Sequence, residues 1–318
     1  MRSKLTGYDV GALLYCPANA HGSIVGAIVE QRFPTPYSLA FCLEDTVRED
    51  AVADAERMLR GTLSRIASAA EGGSFFLPPI FVRVRSPEQL LLAEEYAPFS
   101  SILRGFILPK FFLENCGAYL AAIRSIGRTE EYFYMPVFES AAMIPPQTRR
   151  EALTEVRAQL DTVSGSILNI RVGGNDLSHA FGLRRPANRT IYDLRPVADI
   201  LIDIVAAFGT QYVVSGPVWE YYSGEGWEEG LRREMELDLL NGFTGKTVIH
   251  PNQIPVVNEM LRVSQRDYAD ARAILNWDTG SGSLVSASED GGRMNEYNTH
   301  SRWARRIVLR AERYGVRA

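Results

Sequence analysis

Short runs of apolar and β-branched residues recur along the chain, each bounded by turn residues and followed by a longer stretch with helical spacing. Eight such runs predict strands: 10–16 (VGALLYC), 37–43 (YSLAFCL), 79–84 (PIFVRV), 104–108 (RGFIL), 132–138 (YFYMPVF), 167–172 (ILNIRV), 210–214 (TQYVV) and 247–249 (TVI). Between them helical periodicity covers 48–70, 87–96, 111–126, 146–163, 196–208 and 230–241. Pro87, Pro146 and Pro196 stand where a fixed φ and a missing N–H suit a first helical turn. Strands alternating with helices imply parallel pairing through right-handed crossovers. Eight repeats over about 250 residues predict an α/β fold, a closed (β/α)8 TIM barrel, with an open doubly wound sheet as the rival. Residues 254–275 read as one more helix, 279–292 (TGSGSLVSASEDGG) as a Gly/Ser-rich linker, and 300–314 as a last helix with Trp303, Ile307, Leu309 and Ala311 on its docking face. The expected organisation is a barrel domain over 1–276, then a flexible linker and C-terminal helix over 277–318 that serve as a lid or an oligomer contact.

Composition narrows the choice of partners. The 318 residues are 46% hydrophobic and 23% charged, enough for a large core, and the net charge of −4 comes with no run of Lys or Arg. Nucleic acid and anionic membrane surfaces are therefore not expected partners. No window reaches the roughly 18–20 apolar residues that a bilayer requires, and MRSKLTGYDV lacks the apolar core of a secretory signal. Cys16, Cys42 and Cys116 are an odd number without close spacing, which suggests neither a disulfide framework nor a zinc site. A soluble protein of the reducing cytoplasm is the expectation.

Barrel enzymes carry their chemistry where the strands end. The predicted strand ends offer Glu44 and Asp45, Arg83 and Arg85, Lys110, Glu139, the run Gly173-Gly174-Asn175-Asp176, Ser215-Gly216, and His250. The two glycines free the backbone to turn and approach a ligand, and the turn aims Asp176 into the barrel mouth beside Glu139. Two crowded carboxylates repel unless a cation lies between them, and oxygen-only ligation that leaves room for water and substrate suits Mg²⁺. Each residue also has a plainer reading. Glu139 and Arg83 can be ion-pair members, Asp176 a helix cap, and His250 a loop hydrogen-bonder; His21 and His179 read as surface residues, and His300 as a helix start.

The ordered motifs resemble a known family: the citrate lyase beta subunit and malyl-CoA lyase group of metal-dependent carbon–carbon bond lyases, related to the hydroxy-keto-acid aldolases. FCLEDTVRED, FVRVRS, GFILPKF, PVFES and GGNDLSHAFG are each similar to a family segment, and NGFTGKTVIHPNQIPVVN at 241–258 is the closest. The resemblance implies a TIM barrel, Mg²⁺ held by Glu139 and Asp176, and Arg83 facing a substrate oxygen. Glu44, Asp45 and Lys110 become candidates for the remaining catalytic groups, with Gly173, Gly174, Asn175 and His250 at the substrate. It also implies a small oxo or hydroxy acid, or its CoA thioester, as substrate and a trimer or hexamer as assembly. GGRMNEYNTH is loosely similar to a segment that supplies an acid to a neighbouring subunit, which makes Glu296 a candidate proton carrier. The departures are Cys42 in place of an Asp, Arg85 in place of an Asn, the missing basic residue before LLYCPANAHG, and the aromatic, acidic loop GPVWEYYSGEGWEEG. Cys42, inside an apolar run, reads as a buried thiol and not a nucleophile. The resulting expectation is a lyase or aldolase. The alternatives are a homologue that binds metal and carboxylate without turnover, and a related enolate-forming transferase or thioester hydrolase.

Overall fold

The computed structural model describes residues 5–19, 23–126, 132–280 and 282–317. Eight parallel strands close into a barrel in sequence order: β1 (Ala12–Pro17), β2 (Ser38–Cys42), β3 (Ile80–Arg83), β4 (Leu103–Leu108), β5 (Phe133–Phe138), β6 (Ile170–Val172), β7 (Val214–Gly216) and β8 (Phe243–Val248), which pairs back with β1. The crossovers carry α1 (Ser23–Val29), α2 (Val52–Gly72), α3 (Pro87–Leu90), α4 (Leu113–Ser125), α5 (Pro146–Asp161), α6 (Gly174–Ala180), α7 (Arg195–Phe208) and α8 (Trp227–Leu240). α2 shows why they form: Ala55, Leu59, Leu63 and Ile66 recur every three or four residues and are buried as one stripe.

Ladder register decides what faces the barrel interior, because paired residues point to the same side. Leu13, Ala40, Phe81, Ile107, Met135 and Val137 form the apolar interior. The pairings Cys42↔Arg83, Arg83↔Ile107 and Val137↔Arg171 bring two guanidiniums and a thiol inward as well, nearer the strand C-termini.

Two differences from the sequence expectation have clear causes. β8 begins at Phe243, before the expected 247–249, because Thr244 and Lys246 are buried strand residues that look polar on paper. The expected helix 254–275 is two helices, α9 (Gln253–Leu261) and α10 (Gln265–Leu275). Between them β9 (Val263–Ser264) pairs with β12 (Val316–Arg317), and Ser264 Oγ accepts from the Asp267 N–H to cap α10.

By compactness the chain divides into Met1–Val257 and Asn258–Ala318. In the second unit, β10 (Val285–Ala287) inside the Gly/Ser-rich stretch pairs with β11 (Met294–Glu296) just after it, and the hairpin is held to α10 by Arg293 and Asn295 on Asp270. α11 (Tyr297–Tyr314) buries Ala304, Ile307 and Ala311, with Trp303 partly covered; Leu309, expected on the same face, is exposed. No helix among the described residues is long and apolar enough to cross a membrane.

Candidate active site

The strand ends enclose one cavity of about 250 Å³, lined by Tyr15, Cys42, Asp45, Arg83, Glu139, Arg171, Gly173 to Asp176, and Thr247. Its centre is Arg83, buried at the end of β3. Arg83 Nη2 lies 2.8 Å from Glu44 Oε2, 2.8 Å from Glu139 Oε1 and 3.3 Å from Asp45 Oδ2. Burial opposes the charge, but Glu139 and Glu44 raise the guanidinium pKa further above its ordinary value, so it is permanently charged. Arg83 Nε is buried without a hydrogen-bond partner, an unfilled donor on the group that lines the cavity.

Lys110 closes the other side of this cluster. Its Nζ is 2.8 Å from Glu44 Oε1 and 3.5 Å from Asp45 Oδ1, and its backbone N–H donates to Glu139 Oε1 at 3.0 Å. To do both it adopts φ 49°, a left-handed conformation that costs a non-glycine residue about 1–3 kcal/mol and is seen where surrounding contacts impose it. Arg85 supports the same loop from outside the cavity: its Nη1 donates to the carbonyls of Leu43, Glu44 and Val47 at 3.0, 3.1 and 2.9 Å. Glu44 and Asp45 are pushed apart in acidity. Burial raises Glu44; for Asp45 burial also acts upward, but the hydrogen bond with Glu44, and then Arg83 and Lys110, leave its carboxyl below the usual range. Glu44 is thus the weaker acid of the pair and Asp45, which lines the cavity, the stronger.

Glu139 follows β5 and is 5% exposed. Burial pushes its carboxyl up to about 7, with Asp176 adding to the rise, even though Arg83 acts to lower it. Gly173 makes room for it. A Cβ there would lie 2.1 Å from Glu139 Oε2 and 2.4 Å from Glu139 Cβ, an impossible contact. The turn itself does not require glycine, since Gly173 has φ −99°. The role expected for the glycine is thus corrected: it provides space for Glu139, not an unusual backbone angle. Asp176 sits in the first turn of α6 as its third residue, so it is not the helix cap.

Glu139 Oε1 is occupied by Arg83 and the Lys110 N–H, which leaves Oε2 and the Asp176 carboxylate as oxygen donors at one cavity wall. Among the described residues no group of three or more His, Cys, Asp or Glu side chains could hold a metal. Two carboxylates with the remaining shell open suit Mg²⁺, which keeps waters and accepts substrate oxygens, and a cation would relieve the repulsion from Asp176 that adds to the effect of burial on Glu139. The residues present fit that ion.

Not every expected residue reaches the cavity. His250 does not line it; its ring stacks on Tyr222 at 4.5 Å, and its Nδ1 accepts from the Asn252 N–H. Ile249 holds the wall position instead. Glu44 and Lys110 act behind the lining through Arg83 and Asp45. Glu296, expected to serve a neighbouring subunit's site and not this cavity, ends β11 in the C-terminal unit, where its N–H donates to His300 Nδ1. His179 is exposed, and His21 lies outside the described residues. Sequence reasoning missed Tyr15, Thr247 and above all Arg171. The signal was available: Arg171 in NIRV occupies the same place in its strand alternation as Arg83 in FVRV.

The model of the family described as carbon–carbon bond lyase of the TIM-barrel fold matches residues 4–316, so the chain belongs to that family. A stretch of 74 residues, 23% of the chain, is 38% identical to L-malyl-CoA/beta-methylmalyl-CoA lyase from Cereibacter sphaeroides and spans 22% of that enzyme's length. Among solved structures, the chain is similar to protein CitE from Mycobacterium tuberculosis in complex with magnesium, acetoacetate and coenzyme A, at 20% identity and a TM-score of 0.62, covering 95% of this chain and 98% of that one. It is also similar to a citrate lyase from Burkholderia xenovorans LB400, at 14% identity and a TM-score of 0.69, covering 97% and 93%. RipC from Yersinia pestis follows at 17% and 0.54, covering 80% and 95%. At these identities the structural likenesses establish the fold.

Proposed function

We propose that this family member is a Mg²⁺-dependent carbon–carbon bond lyase or aldolase that forms an enolate from a small 2-oxo or hydroxy acid or its CoA thioester. The observation that carries the reading is the convergence of Arg83, Glu139 and Asp176, from three different strand ends, on one small cavity. Glu139 and Asp176 would hold the ion, whose chemistry when bound is to polarise the carbonyl oxygen. Arg83 is fixed by Glu44 and Glu139 and would set its guanidinium charge beside the oxygen on which charge develops. One donor of this kind is worth on the order of 10²–10³ in rate. Asp45, the stronger acid of the pair and the one that lines the cavity, would move a proton at the substrate carbon, with Glu44 behind it as its partner. Lys110 keeps Asp45 ionised and the cluster closed.

Cys42 on the cavity wall, where the family motif has an Asp, favours a second reading: a protein that binds acid and metal without turnover. One experiment separates the two. Pyruvate is incubated in deuterated solvent with and without Mg²⁺, and loss of the methyl proton signal is followed. Exchange that requires Mg²⁺ and drops about 10²–10³-fold in Glu139→Gln is expected. Binding of pyruvate and of acetyl-CoA with exchange in neither would sink the lyase reading.

A further inference from the structure

The proposed chemistry gives the proton at the substrate carbon to Asp45 and leaves a second proton without a carrier. When an enolate attacks a carbonyl, the oxygen of that carbonyl becomes a hydroxyl and needs a proton; breaking the bond takes it off again. Tyr15 stands where such a carrier belongs. It lies in β1, pairs with Ala40 of the apolar interior, and lines the cavity with its ring under Arg83, whose Cζ is 5.7 Å from the ring centroid. Its hydroxyl is hydrogen-bonded to Arg171. A guanidinium only donates, so the phenol oxygen accepts, and its own hydrogen is left to be given to what enters the cavity. Burial pushes the phenol pKa up in spite of both guanidiniums, so Tyr15 rests as the O–H form.

Arg171 supplies the other half of a proton carrier. It lies in β6, is 1% exposed, and donates to two further neutral groups, Thr247 Oγ1 at 2.5 Å and Asn169 Oδ1 at 3.4 Å. The charged or ionisable groups that act on it are Tyr15 and Arg83, with no carboxylate among them. Arg83 has three carboxylates within 3.3 Å, which already offset its charge. The charge of Arg171 is not offset in this way. A buried cation of that kind burdens the fold, but it is the fixed partner that a transient phenolate needs.

We propose that Tyr15 is a catalytic residue of this cavity, the carrier of the hydroxyl proton, with Arg171 as the cation that stabilises its phenolate. When the bond forms, the enolate carbon attacks the carbonyl carbon, the π pair moves onto that carbonyl's oxygen, and the Tyr15 proton joins it there. The phenolate is held by Arg171 until water reprotonates it. Cleavage is the reverse and begins from the phenolate, which removes the hydroxyl proton as the carbon–carbon pair moves into the enolate. This rests on the reading of the cavity as an enolate-forming site.

The test incubates the Mg²⁺-loaded protein in deuterated solvent with pyruvate and a short aldehyde, acetaldehyde or glyoxylate. Proton NMR then reads two rates in each sample: loss of the pyruvate methyl signal, which needs no hydroxyl proton, and growth of the condensation product, which does. A general acid contributes about 10²–10⁴ in rate, so the ratio of condensation to exchange should fall at least about 10²-fold in Tyr15→Phe, which removes only the hydroxyl. Arg171→Met should lower the same ratio at least about tenfold, with a melting temperature equal to or above that of wild type. Added to Tyr15→Phe, it should change the ratio less than about threefold, because it acts through the phenol. Should Tyr15→Phe fail to fold, the ratio in Arg171→Met decides. A ratio unchanged by these substitutions, an equal loss of both rates, or exchange by wild type without condensation of either aldehyde overturns this inference and leaves the lyase reading standing. Absence of Mg²⁺-dependent exchange in wild type removes the lyase reading itself, and this inference with it.

Discussion

The barrel buries two charged clusters that differ in how completely their charges are matched. Behind β8, Lys246 Nζ sits 2.7 Å from Glu234 Oε1 and 2.6 Å from Asp238 Oδ2, and Arg185 Nε is 3.0 Å from Glu234 Oε2. All four side chains are 0–1% exposed. Tyr192 donates to Asp238 Oδ1 and the Ile191 N–H to Glu234 Oε2, Trp219 covers Arg185 at 5.1 Å, and none of the four charged side chains lines the cavity. At the cavity the balance is open: Arg171 has no carboxylate beside it and Lys110 is strained, whereas the orphaned Nε of Arg83 and the raised carboxyl of Glu139 have counterparts in Arg185 Nε and Asp238 of the first cluster. A cluster whose charges are matched serves the scaffold. One that leaves donors and charges unmatched around a void is set up for what enters it.

Breaking the matched cluster gives the largest expected effect. Lys246→Met leaves Glu234 buried with Arg185 and removes the ion-pair partner of buried Asp238, and should cost about 3–5 kcal/mol in urea unfolding. Arg171→Met, which also removes a fully buried cation but one with no carboxylate beside it, should by contrast leave stability equal or higher. A Lys246→Met protein within about 1 kcal/mol of wild type would erase the distinction between the clusters.

This contrast also marks what was legible in the sequence. The barrel was readable because strands covered on both faces are apolar throughout, as in SLAFC, and Arg83, Glu139 and Asp176 were readable because charge at the end of such a run is conspicuous. The matched cluster was not, since Glu234 and Asp238 share one face of α8 with four-residue spacing and look like solvated acids until Lys246 is seen pressed against them. Arg171 was hidden by the opposite bias: in NIRV an alternating polar residue suggests an outward side chain, yet in a barrel sheathed by helices the outward face is the apolar one. The break at Ser264 had a signal in Ser264-Gln265-Arg266-Asp267, a cap spacing inside an apparently continuous helix.

A smaller effect, in the open cluster, comes from pH. The Glu139 carboxyl is raised in the folded chain from 4.5 to about 7, so folding favours its neutral form. Its contribution is fully present below about 4.5 and is lost as pH rises through about 7, a change of about 3 kcal/mol in all. In chelator-treated protein, the stability of wild type relative to Glu139→Gln should therefore fall by about that amount between roughly pH 4 and pH 8. Mg²⁺ should recover part of the loss in wild type and not in the variant. A pH-independent difference would mean that Arg83 and the Lys110 N–H match the Glu139 charge in full.

The smallest effect concerns a residue that belongs to neither cluster although its motif suggested the site. His250 stacks on Tyr222 with planes 11° apart, in a loop whose neighbour Gln253 donates from Nε2 to the carbonyls of Trp219 and Tyr221 at 2.9 and 2.8 Å. The motif thus fastens the long loop after β7, with Gln253 as the stronger tie and the half-buried stack as a minor one. An aromatic pair of this kind contributes about 0.5–1.5 kcal/mol, so His250→Ala should lower stability by about 0.5–1 kcal/mol. Mg²⁺-dependent proton exchange should change by less than about threefold, well short of the 10²–10³ expected for a group that touches the reacting atoms. A loss of exchange on that larger scale, with stability intact, would move His250 from the scaffold into the open cluster and show that the loop brings it to the substrate.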